Sequence, residues 1–379
     1  MRVYLDHNAT APVRPEAANA VADALRAGGN PSSVHAAGRA ARASVERARA
    51  AIAGHVCARA EDLIFTSGGS EANTLALHTA RQLGADRIVI SAIEHEAVRA
   101  AAAASGLPVE TWPVDADGRV DFSWLKTRLA RSDNETLFFA LMAANNETGV
   151  IQPYEAAGRA IREAGHYLHI DAVQMTGKAP FDFAASLAHF AALSAHKAGG
   201  PQGVGALIAA CDAQVAPLIH GGGQEKNRRG GTENVAGICG FAGAVEAAAA
   251  DPGEPDRQRA IRDRFEAALK AEAPEVTIWG AGAERLPNTT CLSAPGWPSE
   301  IQVIALDLEG FEVSAGSACS SGKVRKSAVL EAMGADEDQA KTALRVSFGW
   351  TNAEEDAERF AKAWLSAWNR ARPKEAAAV

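Results

Sequence analysis

The feature of this sequence that most constrains its fold is an alternation of short apolar segments with longer helix-like segments in the N-terminal half. The apolar segments contain few polar positions, which is typical of strands that are covered on both faces by helices. They lie at residues 63–66, 87–91, 109–112, 136–143, 167–171, 189–194 and 204–209. This alternation predicts an α/β fold in which a mostly parallel sheet carries helices on both faces.

Helix-like segments separate these strands, and the regular alternation of strands and helices ends near Gly253. The predicted helices before that point lie at residues 34–53, where Gly54 is the expected C-cap, and at 72–82, 97–104, 123–131 and 153–164. After the turn-forming residues 251–255, the pattern predicts helices at 257–272 and 353–370 and strands at 276–279, 289–293 and 344–348. We therefore expect a large domain at residues 13–254 and a smaller α+β domain formed by residues 1–12 and 255–379.

The balance of charge and the cysteine pattern argue against several classes of protein. With 38 Lys and Arg residues against 46 Asp and Glu residues, the net charge of −8 disfavours a nucleic-acid-binding protein. The N-terminal residues form no apolar signal sequence, and no apolar run reaches the roughly 18 residues of a membrane span. The five cysteines never form a Cys-x-x-Cys pair, so we expect neither a disulfide framework nor a zinc site. We expect a cytoplasmic protein that binds no metal, nucleic acid or membrane.

A glycine-containing turn, Thr-Ser-Gly-Gly-Ser-Glu, follows the first predicted strand and opens a predicted helix. Backbone N–H groups at the start of a helix attract anions, so Gly69 and Ser70 are candidate phosphate contacts. The turn matches neither the Gly-x-Gly-x-x-Gly dinucleotide pattern nor a P-loop. Taken alone, it fits a capped turn as well as it fits a phosphate site.

An acidic and a basic residue each follow one of the later apolar segments. Asp171 ends its segment where ligands bind in open α/β sheets, although it also suits a helix N-cap. Lys197 leads into a Gly-rich turn, where a solvated surface lysine is the simpler interpretation. Together with an anion site, the pair fits pyridoxal 5′-phosphate (PLP). The amine would form a Schiff base, and the carboxylate would hold the pyridinium nitrogen.

Cys319 lies in a run of small residues at 314–322, Ser-Ala-Gly-Ser-Ala-Cys-Ser-Ser-Gly, within a predicted loop at about residues 313–326. Such a segment offers little to pack, so the thiol is expected to be exposed. The nearby Lys323 and Arg325 favour its thiolate form. A reactive nucleophile and an ordinary free surface cysteine both fit this pattern.

These motifs occur in an order and at spacings that resemble the NifS/IscS-type cysteine desulfurases. That group belongs to the class V aminotransferases and to the fold type I PLP enzymes, which have the aspartate-aminotransferase-like fold. The similar segments are residues 4–10, 30–33, 65–73, 94–95, 145–149, 169–174, 194–205, 220–234, 286–288, 314–322 and 344–348. The resemblance implies a large domain with a mostly parallel mixed sheet and a smaller α+β domain.

The resemblance also implies a role for each candidate residue. The residues that would carry the chemistry are Lys197 as the Schiff-base lysine, His95 as a ring-stacking acid or base, and Cys319 as the nucleophile. Those that would contact the cofactor are Gly69, Ser70, Asn146, Asp171, Gln174, Ser194, His196, Lys197 and, from the second subunit of a homodimer, Thr232. Those that would contact the substrate are Arg345, Asn146, Asn8 and Asn30.

The reaction implied by the resemblance converts L-cysteine to L-alanine and leaves the sulfur on Cys319 as a persulfide. A sulfur-acceptor or iron–sulfur scaffold protein would then receive it, for iron–sulfur cluster assembly, nitrogen fixation or thionucleoside synthesis. Two other hypotheses stay open at this point. The protein could be a different PLP enzyme, such as a selenocysteine lyase or an aminotransferase, or a scaffold without activity.

Overall fold

The structure, a computed structural model, describes residues 2–132, 134–316 and 326–371. Its strands are β1 (Val3–Tyr4), β2 (Leu63–Thr66), β3 (Arg87–Ser91), β4 (Val109–Trp112), β5 (Leu137–Met142), β6 (Tyr167–Asp171), β7 (Phe190–Ser194), β8 (Gly205–Ala209), β9 (Thr277–Ile278), β10 (Thr289–Ser293), β11 (Phe311–Glu312), β12 (Ser314–Ala315) and β13 (Ala343–Ser347). Its α-helices are α1 (Pro15–Ala27), α2 (Ala36–His55), α3 (Gly69–Thr79), α4 (Glu96–Ala104), α5 (Phe122–Leu129), α6 (Tyr154–Glu163), α7 (Phe183–Ser186), α8 (Val235–Ala250), α9 (Glu254–Glu272), α10 (Ser299–Leu308), α11 (Ala328–Ala332), α12 (Glu337–Lys341) and α13 (Glu354–Ala371).

The largest sheet has seven strands in the order β2–β8–β7–β6–β5–β3–β4. Strand β8 is antiparallel to both of its neighbours, and every other pair in this sheet is parallel. The prediction of a mostly parallel sheet is therefore confirmed. Because β2, β3, β5, β6 and β7 run in one direction, their carboxyl ends meet at one edge.

Helices cover both faces of this sheet, because alternate residues of its strands point to opposite sides. On one face, Phe139 of β5 packs in a cluster with residues of α2, α6 and α8, such as Ile52, Ile161 and Phe241. On the other face, Phe138 packs in a cluster with residues of α3 and α4. Both phenylalanines are fully buried, which explains why the strand segments are apolar at almost every position.

A second layer of structure is built from the two ends of the chain. A four-stranded antiparallel sheet has the order β12–β13–β10–β9, and β1 pairs in parallel with β11. A separate apolar cluster joins Val3 and Leu5 to residues of α9 and α13, including Phe265 and Trp364. We propose that this cluster is the core of a smaller domain, with boundaries near residues 12–13 and 254–255.

Several helices were not predicted from the sequence, and α8 gives the physical reason. It packs against α1 and α2, and its residues are apolar or glycine at every position except Glu246, so it has no polar face and no amphipathic period. Its glycines allow the close approach of α1. A Cβ atom on Gly240 would lie 2.5 Å from Cγ2 of Val21.

The predicted cap of α2 at Gly54 was also wrong. The helix continues to His55, and the chain then turns through Cys57, whose φ is 53°.

Among the described residues, no helix has the length and apolar character that a membrane crossing requires. The same part of the chain contains no cluster of three or more His, Cys, Asp or Glu side chains placed to ligate a metal ion. The cysteines that the structure describes are free thiols: Cys57, Cys211, Cys239 and Cys291.

A buried ion pair links the start of α9 to the segment before α1, and its loss should destabilise the fold. Both oxygens of Glu254 accept from Nη2 of Arg14, at 2.8 and 2.9 Å, and the two side chains are only 7% and 8% exposed. We expect Glu254→Gln to lower the free energy of unfolding by about 3 kcal/mol, because it leaves a buried guanidinium without its counter-charge. Urea denaturation measures this loss.

The matched control for that variant is Asp23→Asn, which breaks an ion pair with Arg26 in which both side chains are 76% exposed. Exposed pairs contribute little, so the control should change stability by less than about 0.5 kcal/mol. Equal losses in the two variants would contradict the importance of the buried pair.

Candidate active site

A cavity of about 330 Å³ lies at the carboxyl ends of the parallel strands of the large sheet. Eleven of the residues predicted for the site line it: Asn8, Gly69, Ser70, His95, Asn146, Asp171, Gln174, Ser194, His196, Lys197 and Arg345. These residues come from the N-terminal segment, from the strand ends and from β13. The parallel direction of the strands is what brings the residues at the strand ends together.

Lys197 lies in a single turn of 3₁₀ helix, Ala195–Lys197, directly after β7. Its Nζ donates to the carbonyl oxygens of Asn8 and Ala9, at 2.6 and 2.7 Å. The amine is therefore a lining group of the cavity, held by the N-terminal segment, rather than a solvated surface lysine. A half-buried amine held in this way is available to a ligand that displaces the carbonyl contacts.

Asp171 ends β6, and the carboxylate is held by two donors. Its Oδ1 accepts from the N–H of Val173 at 3.0 Å, and its Oδ2 accepts from Nδ2 of Asn73 at 2.8 Å. The carboxylate lines the cavity and also caps the turn after β6, but no helix begins there, so the helix N-cap interpretation was wrong. A carboxylate fixed at both oxygens is well oriented to accept a further hydrogen bond from a ligand.

A buried histidine orients the asparagine that holds Asp171. Nε2 of His169 lies 2.7 Å from Oδ1 of Asn73. Burial lowers the pKa of His169 to about 3, so the ring is neutral, and its Nε2–H donates to that oxygen. The amide of Asn73 is then fixed with its NH₂ group towards Asp171. Neither Asn73 nor His169 was given a role from the sequence, although both belong to the motifs around the site.

His95 forms the N-cap of α4 and lines the cavity. Its Nδ1 accepts from the N–H of Ala97 at 3.1 Å, so a neutral ring carries its proton on Nε2. The preceding residue, Glu94, is fully buried, and its Oε1 accepts from the hydroxyl of Ser91 and the N–H of Met142. Burial, and then the negative charge of Asp171, raise the pKa of Glu94 to about 8.

One end of the cavity suits an anion. Helix α3 begins at Gly69, and a Cβ atom there would lie 2.7 Å from Cγ2 of Val173, so only glycine leaves this space open. The N-terminus of α3 carries a partial positive charge. Burial, followed by the positive charges of Lys197 and Lys178, lowers the pKa of His196 to about 4. His196 is therefore a neutral hydrogen-bonding group at this end.

Arg345 lies on β13 and is 1% exposed. Its Nη2 donates to Oδ1 of Asp6 at 2.8 Å, and its Nη1 donates to the backbone carbonyl of Asn146 at 3.1 Å. The other oxygen of Asp6 accepts from the hydroxyl of Ser314 at 2.7 Å. The guanidinium is thus held in one orientation at the cavity wall, and Asp6 is a site residue that the sequence did not single out.

Two of the predicted site residues that the structure describes lie away from this cavity. Asn30 is exposed, and its Oδ1 accepts from the N–H of Ser32 rather than facing the cavity. Thr232 is exposed and lines a different pocket, beside Glu225. Cys319 lies outside the described residues. The roles of Asn30, Thr232 and Cys319 therefore stay predictions.

Lys178 is a buried residue of the site that sequence reasoning missed. Its Nζ donates to Oε1 of Gln174 at 2.6 Å and to Oδ1 of Asn8 at 2.9 Å. Burial lowers its pKa well below the usual value, and the charges of Lys197 and Arg345 act in the same direction. The available signal was a lysine four positions after Gln174 in a mainly apolar stretch.

The arrangement can hold a flat aromatic ligand that carries an anionic group. The anion would lie at the start of α3, a carboxylate is available from Asp171, and an amine is available from Lys197. His95 offers a ring face and Arg345 a second cationic group. An amine beside an aromatic ligand suits Schiff-base chemistry.

The sequence also matches a known family along nearly all of its length. The profile of the family described as aminotransferase class-V matches residues 3–360. This chain belongs to the class-V aminotransferase family. Its fold is accordingly that of the fold type I PLP enzymes, as the resemblance implied.

Named relatives within the class-V aminotransferase family are cysteine desulfurases. The chain is 40% identical to a protein named cysteine desulfurase from Cereibacter sphaeroides, over 93% of this chain and 92% of that one. It is 38% identical to an IscS-like cysteine desulfurase from Mycobacterium tuberculosis, over 99% and 98% of the two chains. The solved structure of a NifS-like protein from Rickettsia africae superposes with a TM-score of 0.90 at 33% identity, over 97% and 100%. The resemblance to the NifS/IscS group is confirmed.

The raised pKa of Glu94 predicts how stability depends on pH. The proton on Glu94 favours the folded state because the pKa is 4.5 when the chain is unfolded and about 8 when it is folded. This stabilisation is fully present below pH 4.5 and is lost as the pH rises through about 8. We expect the melting temperature of the wild type to fall over that interval more steeply than that of Glu94→Gln.

The control for Glu94→Gln is Glu96→Gln, two residues further along, where the carboxylate side chain is 72% exposed. Its melting temperature should follow the wild-type pH profile. Parallel profiles for the wild type and Glu94→Gln would show that the buried carboxyl group does not carry the effect.

Proposed function

We propose that this protein is a cysteine desulfurase that uses PLP to take sulfur from L-cysteine. It releases L-alanine and carries the sulfur on Cys319 as a persulfide. The observation that carries the proposal is the meeting of an amine, a fixed carboxylate and an anion site in one cavity, from Lys197, Asp171 and the start of α3. The similarity to proteins named cysteine desulfurase supports the same reaction.

The residues of the cavity fit PLP group by group. Its phosphate would lie against the residues that form the anion site: Gly69, Ser70, Ser194 and His196. Its pyridinium nitrogen would donate to Asp171, its phenolic oxygen would accept from Gln174, and its ring would lie between His95 and the strand ends, beside Asn146. When bound through a Schiff base to Lys197, PLP supplies an electron sink that stabilises negative charge at the Cα of an amino-acid substrate.

The protein's own groups would bind the substrate and move its protons. Arg345 binds the substrate carboxylate through a two-pronged contact, for which its planar guanidinium is suited. Asn8 and Asn146 line the same part of the cavity. Once the substrate amine has displaced it, the Nζ of Lys197 can accept the Cα proton. The Nε2 of His95 is a second group that can hold or release a proton near the substrate.

Sulfur transfer needs a thiolate close to the bound substrate. The thiolate of Cys319 attacks the substrate sulfur, the bond between that sulfur and Cβ breaks, and a proton goes to Cβ so that alanine leaves. Ser314 of β12, five positions before Cys319 in the sequence, pairs with Arg345, which lines the cavity.

We propose three further features of the working enzyme. It acts as a homodimer, in which the exposed Thr232 reaches the phosphate site of the second subunit, and Asn30 lies near the substrate. It passes its sulfur to an acceptor or iron–sulfur scaffold protein, which supports iron–sulfur cluster assembly. It works in the cytoplasm, where the thiol of Cys319 stays reduced and is not consumed in a disulfide.

A paired assay of products tests the proposed reaction. The wild type with PLP, L-cysteine and dithiothreitol should release alanine and sulfide in equal amounts. Cys319→Ala should keep its bound PLP and release neither product, because the group that accepts sulfur is gone. If Cys319→Ala turns over cysteine at the wild-type rate, the protein is a different PLP enzyme, such as a lyase or an aminotransferase. If the wild type binds no PLP, the scaffold hypothesis is favoured.

The substrate role of Arg345 has its own test in steady-state kinetics. We expect Arg345→Ala to raise KM for L-cysteine by at least about tenfold, since a hydrogen-bonded charge pair contributes roughly 1.5–3 kcal/mol. Arg345→Lys keeps the charge but loses the two-pronged geometry, so it should recover only part of the loss. An unchanged KM in Arg345→Ala would assign the carboxylate to another residue.

A further inference from the structure

Lys178 is a buried lysine to which the proposed reaction assigns no part. It is 6% exposed and lies behind the cavity wall that Gln174 forms. Lysine is rarely buried unless an acidic side chain pairs with it. Here the hydrogen-bond acceptors of Nζ are two side-chain amide oxygens, Oε1 of Gln174 at 2.6 Å and Oδ1 of Asn8 at 2.9 Å. A buried amine that donates hydrogen bonds to two amide oxygens, and to no carboxylate of the described residues, needs an explanation other than charge pairing.

The first consequence concerns the orientation of Gln174. An amide presents an acceptor on one side and two donors on the other, and a neighbouring donor decides which way it lies. Because Oε1 faces Lys178, the NH₂ group of Gln174 faces the other way. One of its N–H bonds is used by the carbonyl oxygen of Asn8, at 3.0 Å. The second N–H is then the group that Gln174 can offer to a ligand in the cavity.

The second consequence concerns Asn8. Its Oδ1 accepts from Lys178 and from Nδ2 of Asn288, so its own NH₂ group is turned towards the backbone carbonyl of Asn146 and the hydroxyl of Thr289. All of these groups are buried. The backbone carbonyl of the same asparagine accepts from Lys197. Lys178 therefore fixes Asn8, and Asn8 in turn accepts a hydrogen bond from Lys197, the proposed Schiff-base lysine.

We propose that Lys178 is a positioning residue for the desulfurase reaction, which fixes Gln174 as a hydrogen-bond donor to the phenolic oxygen of PLP. The inference rests on the proposed function, in which Gln174 makes that contact. Without the Lys178 donor, the amide can turn over and present Oε1 to a negatively charged oxygen, which is repulsive. The amine can donate to both amides whether or not it carries a charge. Besides burial, the charges of Lys197 and Arg345 lower its pKa and that of Asp6 raises it, and its own charge lowers the pKa values of His7 and His196.

The pH dependence of the visible absorption of bound PLP tests this role directly. A hydrogen bond to the phenolic oxygen stabilises its negative charge, so loss of that bond should shift the titration of the bound cofactor to higher pH. We expect Lys178→Met, which keeps the length of the side chain but has no donor, to shift it by about one pH unit. Gln174→Met should shift it in the same direction.

The double variant shows whether the two residues act through one contact. If Lys178 acts through Gln174, the double variant should titrate like Gln174→Met alone, and the two shifts should not add. The matched control is Lys126→Met on the exposed side of α5, which should titrate like the wild type. If Lys178→Met does not fold, Lys178→Gln replaces it. Its shorter side chain cannot serve both amides, so the same upward shift is expected.

The outcomes separate this inference from the function on which it rests. A Lys178 variant that loses thermal stability but titrates like the wild type would overturn the positioning role and leave the desulfurase proposal intact. Additive shifts in the double variant would overturn the link through Gln174. A wild-type protein that binds no PLP would overturn both proposals, and that result needs no variant of Lys178.

Discussion

The hydrogen bonds of Asn8 tie together parts of the chain that are far apart in sequence, and the geometry of the cavity depends on them. Its backbone carbonyl accepts from Lys197 and Gln174, which follow β7 and β6 of the large sheet. Its side-chain amide donates to the carbonyl of Asn146 and to the hydroxyl of Thr289 on β10 of the second sheet. Because Asn8 is 1% exposed, water cannot replace these partners unless the cavity opens. The N-terminal segment is thus as much a part of the site as the strand ends.

Burial keeps several ionisable side chains of the site neutral, and this serves the chemistry. The pKa of His169 is lowered to about 3 and that of His196 to about 4. Neutral imidazoles direct hydrogen bonds without adding charge. A bound ligand therefore meets charge only where a specific group of the ligand can pair with it, as at Asp171 and Arg345. Fixed dipoles and few charges in a region of low dielectric constant are the arrangement that stabilises charge during a reaction.

Much of the fold and of the cavity could be predicted from the sequence, and the failures have physical causes. Strands β2, β3, β4, β6 and β10 lie at the predicted residues, and in β2 and β3 a nearly continuous apolar segment leaves little choice of boundary. The convergence of Asp171 and Lys197 followed from the parallel sheet. Helix α8 was missed because its residues are apolar or glycine at every position except Glu246, which removes the periodic pattern by which a helix is recognised. Lys178 was missed because Asn8, one of its two partners, is 170 residues away, a pairing that no local pattern encodes.

The pairing of β1 with β11 has a consequence for how the protein is made. Val3 precedes every strand of the large sheet in the chain, but its partner on the neighbouring strand is Phe311. Strands β2 to β8 all lie between these positions, so the large sheet can assemble during translation while the N-terminal segment still has no strand to join. Loop closure over such a distance is an entropic cost that only the finished second sheet can offset. The segment that holds Lys197 thus precedes the large sheet in the chain, while the strand that pairs with this segment follows that sheet, so the site is not complete before β11 has been made.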